Sequence, residues 1–145
     1  MTLPPLSDME RLLLMAAAVQ GFGPRTDITR ANTAKVVLQA LQWSGLGTAE
    51  VYQQWEQFEW PAELDKVYQP LVGMTQQVLR DGGARPPERP GPALFEGGGN
   101  WGVPGDPQRP ACDPRYNSCR LTALGGLIAR ALLAEQPEFG KPNAE

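Results

Sequence analysis

The sequence predicts an all-α fold: a small bundle of about four helices over residues 1–81, a Gly/Pro-rich extended strap over 82–117, and a C-terminal helix with a loose tail over 118–145. Three observations predict it. Apolar residues recur at spacings of three and four in five separate stretches, the period of an amphipathic helix. No stretch alternates with period two for long enough to read as a strand. Of the 29 residues from Gly82 to Pro110, fifteen are Gly or Pro, so neither period survives there. At 145 residues, one core is expected.

The first helix has the clearest start. Ser7-Asp8-Met9-Glu10 has the form of a capping box, in which Ser7 accepts from the Glu10 N–H and Glu10 reaches back. Met9, Leu12, Leu13 and Ala16 then repeat at helical spacing until Gly21, and Gly23-Pro24 makes a turn. The second helix begins near Asp27 or Thr29, carries Ala31, Ala34, Val37, Leu38 and Leu41 on one face, and stops at Ser44-Gly45-Leu46-Gly47. Thr48 caps the third, where Val51, Tyr52, Trp55 and Phe58 recur opposite a polar face.

Trp60-Pro61 separates helices three and four, with Pro61 at a first helical position, where its missing N–H costs little. The fourth stripe is the longest: Leu64, Val67, Tyr68, Leu71, Met74 or Thr75, Val78 and Leu79, ended by Asp81-Gly82-Gly83. Leu71, Val78 and Leu79 are expected in the core. Pro70 lies inside the stripe and predicts a kink or break near Gln69, because it removes one backbone bond and clashes with the Lys66 carbonyl. The last helix is expected from Ser118 to residue 136, with Leu121, Leu124, Ile128, Ala131 and Leu132 as its apolar face. Gly125-Gly126 in its middle reads as a close approach to a neighbouring helix, with a hinge or break as the alternative, since each glycine costs about 1 kcal/mol against alanine in a helix.

Composition excludes several chemistries. The chain has no histidine, so neither a Ser-His-Asp triad nor a Cys-His dyad can form. Two cysteines alone do not make a structural zinc site. Gly97-Gly98-Gly99-Asn100-Trp101-Gly102 lacks the Lys-Ser or Lys-Thr that completes a phosphate-binding loop. Glu56 and Glu59 share a helix face but read as a solvated surface, with no second helix supplying matching ligands. A net charge of −3 with no dense basic stripe argues against nucleic acid. The longest apolar runs are too short to span a bilayer, and no basic region precedes an apolar run at the start of the chain. The expected setting is the cytoplasm or an assembled virion, with no cofactor and no metal.

What remains is the strap. Phe95 and Trp101 lie in it, away from any amphipathic face, and Val103 and Arg109 follow. Apolar anchors in such a segment either fold back on the parent domain or insert into a partner. Phe95, Trp101, Val103 and Arg109 are the expected partner-binding residues, on an arm that polyproline geometry could extend over roughly 90 Å. Cys112 and Cys119 frame turn-forming residues and are a candidate disulfide. In that redox reading Arg120 and the start of the last helix would activate Cys119; the alternative is two reduced thiols, one packed and one partly exposed. The function expected is therefore non-enzymatic: a structural or assembly subunit of a larger complex, such as a virion or bacterial accessory component, binding a protein partner or its own copies through the arm. A small regulatory domain that clamps one partner is the alternative.

Overall fold

The computed structural model describes residues 5–57, 59, 61–78, 83–98, 101 and 114–140. Among them are five helices, α1 (Asp8–Val19), α2 (Thr33–Ser44), α3 (Ala49–Glu56), α4 (Ala62–Met74) and α5 (Ala123–Glu135), and four strands, β1 (Thr75–Val78), β2 (Ala84–Arg85), β3 (Phe95–Gly98) and β4 (Ser118–Leu121). The strands form one mixed sheet in the order β2-β1-β3-β4. The fold is thus α/β, and the all-α expectation is corrected: residues assigned to the end of helix four, the strap and the start of the last helix are sheet.

Local signals set the first half. The capping box of α1 is formed, with the Glu10 N–H donating to Ser7 Oγ at 3.1 Å and the Ser7 N–H to Glu10 Oε1 at 2.7 Å. Asp27 caps a short 3-10 turn, Ile28–Arg30, and α2 starts later, where Asn32 accepts from the Ala34 N–H. Thr48 caps α3 as expected, and Pro61 stands just before α4.

Helix α4 differs in two ways. It runs through Pro70 to Met74 without a break. Leu71, Val72 and Met74, on the far side of the proline, are all buried. Burying three such side chains is worth several kcal/mol, enough to offset the roughly 3 kcal/mol penalty of an internal proline. It then gives way directly to β1. Thr75 turns extended, its hydroxyl donates to the Leu71 carbonyl at 2.6 Å, and burial alternates along Thr75-Gln76-Gln77-Val78. The same residues therefore fit a helical stripe and a period-two strand, and the sheet partners decide between them. Val78, expected in the core, is 47% exposed on the outer face of β1; Leu79 lies outside the described residues. Leu71 is buried as expected, so Leu71→Ala should lower the unfolding free energy by about 2–5 kcal/mol, read as a shifted urea midpoint at unchanged slope.

The described part of the strap is woven into the fold. β1 pairs parallel with β3, Thr75 opposite Phe95 and Gln77 opposite Gly97. β3 pairs antiparallel with β4, Phe95 opposite Leu121 and Gly97 opposite Cys119. Between them, the Arg89 N–H donates to the Gly73 carbonyl at 2.9 Å, and the Arg89 guanidinium reaches Glu10 at 2.5 Å and the Pro5 carbonyl at 2.6 Å. The carboxylate that closes the α1 capping box thereby also holds the strap. The outer edge of β4 is covered too: the Cys119 N–H donates to the Ala31 carbonyl and the Leu121 N–H to the Phe22 carbonyl. Residues from all three sequence regions meet in one core, which includes Leu13, Leu41, Tyr68, Leu94, Phe95, Trp101 and Ala129.

α5 begins at Ala123, capped by Thr122, whose hydroxyl accepts from the Gly125 N–H at 3.1 Å; Ser118, the expected cap, is in β4. The two glycines do permit the close approach read from the sequence. A Cβ on Gly125 would overlap the Leu94 carbonyl oxygen, whereas one on Gly126 would meet Pro24 at an ordinary 3.4 Å. The helix docks through Gly125, Gly126 and Ala129, with Ile128 and Leu132 partly buried against the core, and this leaves the rest of the expected apolar face outside: Leu124 is 37% exposed and Ala131 is exposed, with Leu127, 57% exposed, beside them.

Candidate functional site

The outward turn of α5 creates the most distinctive surface among the described residues. Leu124, Leu127, Ala131 and Ala134 are all exposed and follow one another at spacings of three, four and three, one continuous stripe along a helix. At its side, α5 and the Gly21–Thr26 loop enclose a groove of about 840 Å³, whose walls include Ala18, Pro24, Leu121 and Leu127. The volume is in the range of ligand and peptide sites. Arg25 and Arg130 stand on its rim. Neither makes an ion pair with any described residue. The neighbouring Arg120 is committed elsewhere, to Glu96 at 2.6 Å and the Thr26 carbonyl at 2.8 Å. Asp27, the nearest acid in the loop sequence, accepts from the Thr29 hydroxyl at 2.8 Å and the Thr29 N–H at 3.0 Å, and these bonds hold its carboxyl below the usual range. An apolar groove remains, with two cations uncommitted among the described residues, on a chain whose net charge is −3.

The residues singled out from the sequence are placed differently. Phe95 and Trp101 fold back on their own domain, the first of the two alternatives, and both are 0% exposed. The Trp101 ring stacks on Tyr68 with centroids 5.8 Å apart, and its indole N–H donates to the Gly98 carbonyl at 3.0 Å. Gly97 is the condition for this: a Cβ there would stand 2.6 Å from the indole ring. The first two glycines of the run are therefore strand residues, and Gly97 leaves room for a tryptophan. Val103, Arg109 and Cys112 lie outside the described residues.

Cys119 carries a free thiol, buried in β4. Its expected activation by a helix start does not arise, because α5 begins four residues later and the sulfur is enclosed by core. Burial pushes the thiol up to about 12, with the Thr33 hydroxyl pulling weakly the other way. The raised value favours the neutral thiol in the folded state. Stability from this source is complete below the ordinary thiol value near 9 and is lost as pH rises from there towards 12. In a Cys112→Ser background, moving from pH 8 to 10.5 should therefore cost about 2 kcal/mol more than the same step does for the Cys119→Ala variant, measured by urea unfolding.

A smaller pocket of about 220 Å³ lies between α2 and α3, with Leu38, Tyr52 and Trp55 on its walls and Arg115 at 5.6 Å over the Trp55 ring. Among the described residues there is no cluster of three or more side chains able to hold a metal ion. No described helix is long and apolar enough to cross a membrane.

The sequence gives α5 no single direction, because Leu124 and Ala131 read as core together with Ile128 and Leu132, and the structure buries only the second pair in part. The available signal was an apolar residue on nearly every side of the helix. No protein-family model matches the chain, and no curated protein matches it significantly.

Proposed function

We propose that the protein is a non-enzymatic subunit that docks on other proteins, within a larger assembly. The observation that carries this reading is the exposed stripe of Leu124 and Leu127 on α5 beside a groove with uncommitted arginines. Scattered apolar residues on a surface are ordinary, but contiguous ones next to a groove mark an interaction site. The lack of histidine supports a binding role over hydrolytic catalysis. The fitting setting is the cytoplasm or an assembled particle such as a virion, with protein rather than nucleic acid or membrane as partner.

The second reading, a regulatory domain gripping a single partner, is favoured by the burial of Phe95 and Trp101 in their own core, which makes the described part of the strap self-contained. A photo-crosslinker placed at Leu127 in cells that make the protein natively, with Glu50 on α3 as the control position, tests the proposal. A protein adduct at position 127 and none at 50 is expected; no adduct at 127 would overturn it. Sedimentation of the crosslinked species separates the two readings: a defined one-to-one complex belongs to the regulator, a larger particle to the assembly subunit.

A further inference from the structure

The chemistry of the groove narrows the partner. An occupant must cover Leu124, Leu127, Ala131 and Ala134, four positions that repeat as one face of a helix repeats, over some 15 Å of α5. A helix with its own apolar stripe fits this line, with side chains entering the groove between Pro24 and Leu127. It must also answer Arg25 and Arg130. Two guanidinium groups that pair with no carboxylate among the described residues, beside an apolar floor, favour carboxylates placed next to apolar anchors. The charges at the far end differ: Glu135 follows the last residue of the stripe on α5, and Glu138 lies in the next turn. The occupant's acids therefore belong over the Leu127–Arg130 half and not over the end of the helix.

A second copy of this chain fits less well. Two α5 stripes packed antiparallel about their midpoint would bring Arg130 of each copy to the same central seam, and like charges at an interface are costly.

We infer that this face receives an acidic amphipathic helix of a partner protein, its leucine-like anchors against Leu124 and Leu127 and its carboxylates on Arg25 and Arg130. The inference rests on the protein-docking reading and adds the partner's chemistry. The test pans a displayed library of random twelve-residue peptides on the full-length chain in low salt, and measures the recovered peptides on Arg25→Glu/Arg130→Glu and Leu127→Glu variants. All three positions are exposed, so circular dichroism and the thermal midpoint should be unchanged.

Recovered peptides should carry Asp or Glu among apolar residues spaced by three and four. Their Kd should rise at least tenfold on either variant and with added salt. Exchanging their acids for lysine should restore binding to the Arg25→Glu/Arg130→Glu protein and abolish it on the wild type. Peptides without acidic bias, peptides indifferent to both variants, or no enriched peptide would overturn the inference. If indifferent peptides crosslink to another face, the docking function survives and this site does not. A concentration-dependent dimer abolished by Leu127→Glu would show the face to be taken by a second copy, which equally overturns the acidic helix.

Discussion

Replacing Trp101 by alanine is expected to lower the thermal midpoint of the isolated chain by roughly 10–20 °C, the consequence of losing about 3–5 kcal/mol in a domain of this size. The indole has no exposed surface, stacks on Tyr68 and donates to the Gly98 carbonyl. Its removal leaves three deficits at once: a cavity, an unstacked tyrosine and a carbonyl without its donor. Tyr68 is itself tied to the Asn117 side chain, so the cavity would open beside one of the few buried polar contacts in the core. Trp101→Phe separates these contributions. It keeps an aromatic ring against Tyr68 and gives up the indole hydrogen bond and some volume, so a loss of about 1–2 kcal/mol is expected. Differential scanning calorimetry of the full chain measures both. An unchanged midpoint in Trp101→Ala would mean that the indole leaves the core readily, and would return it to the role of a partner anchor.

The contrast between the two halves of the chain shows which features a sequence exposes. Ser7 and Thr48 mark helix starts correctly because a cap is a contact between residues three apart, and its chemistry is written in consecutive letters. The strands follow no such rule. Gly97 and Gly98 have no strand preference of their own, and they are extended because β1 and β4 lie on either side, contributed by residues far away in the chain. Thr75 to Val78 could continue a helix equally well until β3 pairs with it. Ser118 and Thr122 are both acceptable helix caps, and the pairing of Ser118 with Gly98 on one side and Asn32 on the other removes the first from consideration. The candidate site was obscured for a related reason. Leu124 and Leu127 look like core residues by type, and what exposes them is a backbone contact made by Gly125, which a count of hydrophobic positions does not contain.

That backbone contact leads to the other large effect. Gly125→Val is expected to cost more than about 4 kcal/mol, the range that marks a disrupted core rather than a trimmed one. In an ordinary helix any residue other than proline is better than glycine, and alanine gains about 1 kcal/mol. At position 125 the order reverses. The Leu94 carbonyl oxygen occupies the space of a side chain, and it cannot move aside, since it also accepts from the Thr122 N–H at 3.1 Å. The adjacent Ala93 carbonyl is held in turn by the Thr122 hydroxyl at 2.8 Å. A valine must therefore push α5 away from Leu94, and with it from α1 and β4, uncovering Leu121 and Ala129. Gly126→Ala is the matched control. Its Cβ would meet Pro24 at 3.4 Å, a contact the loop can accept, and the helix gains alanine's propensity, so stability should stay level or rise by up to about 1 kcal/mol. Urea unfolding of the two variants reads the difference directly, and amide exchange locates it, with protection lost along α5 in Gly125→Val alone. Equal stabilities for the two would mean that α5 does not pack through Gly125. The outward stripe of Leu124 and Leu127 would then lose its cause, and with it the groove on which the docking proposal stands.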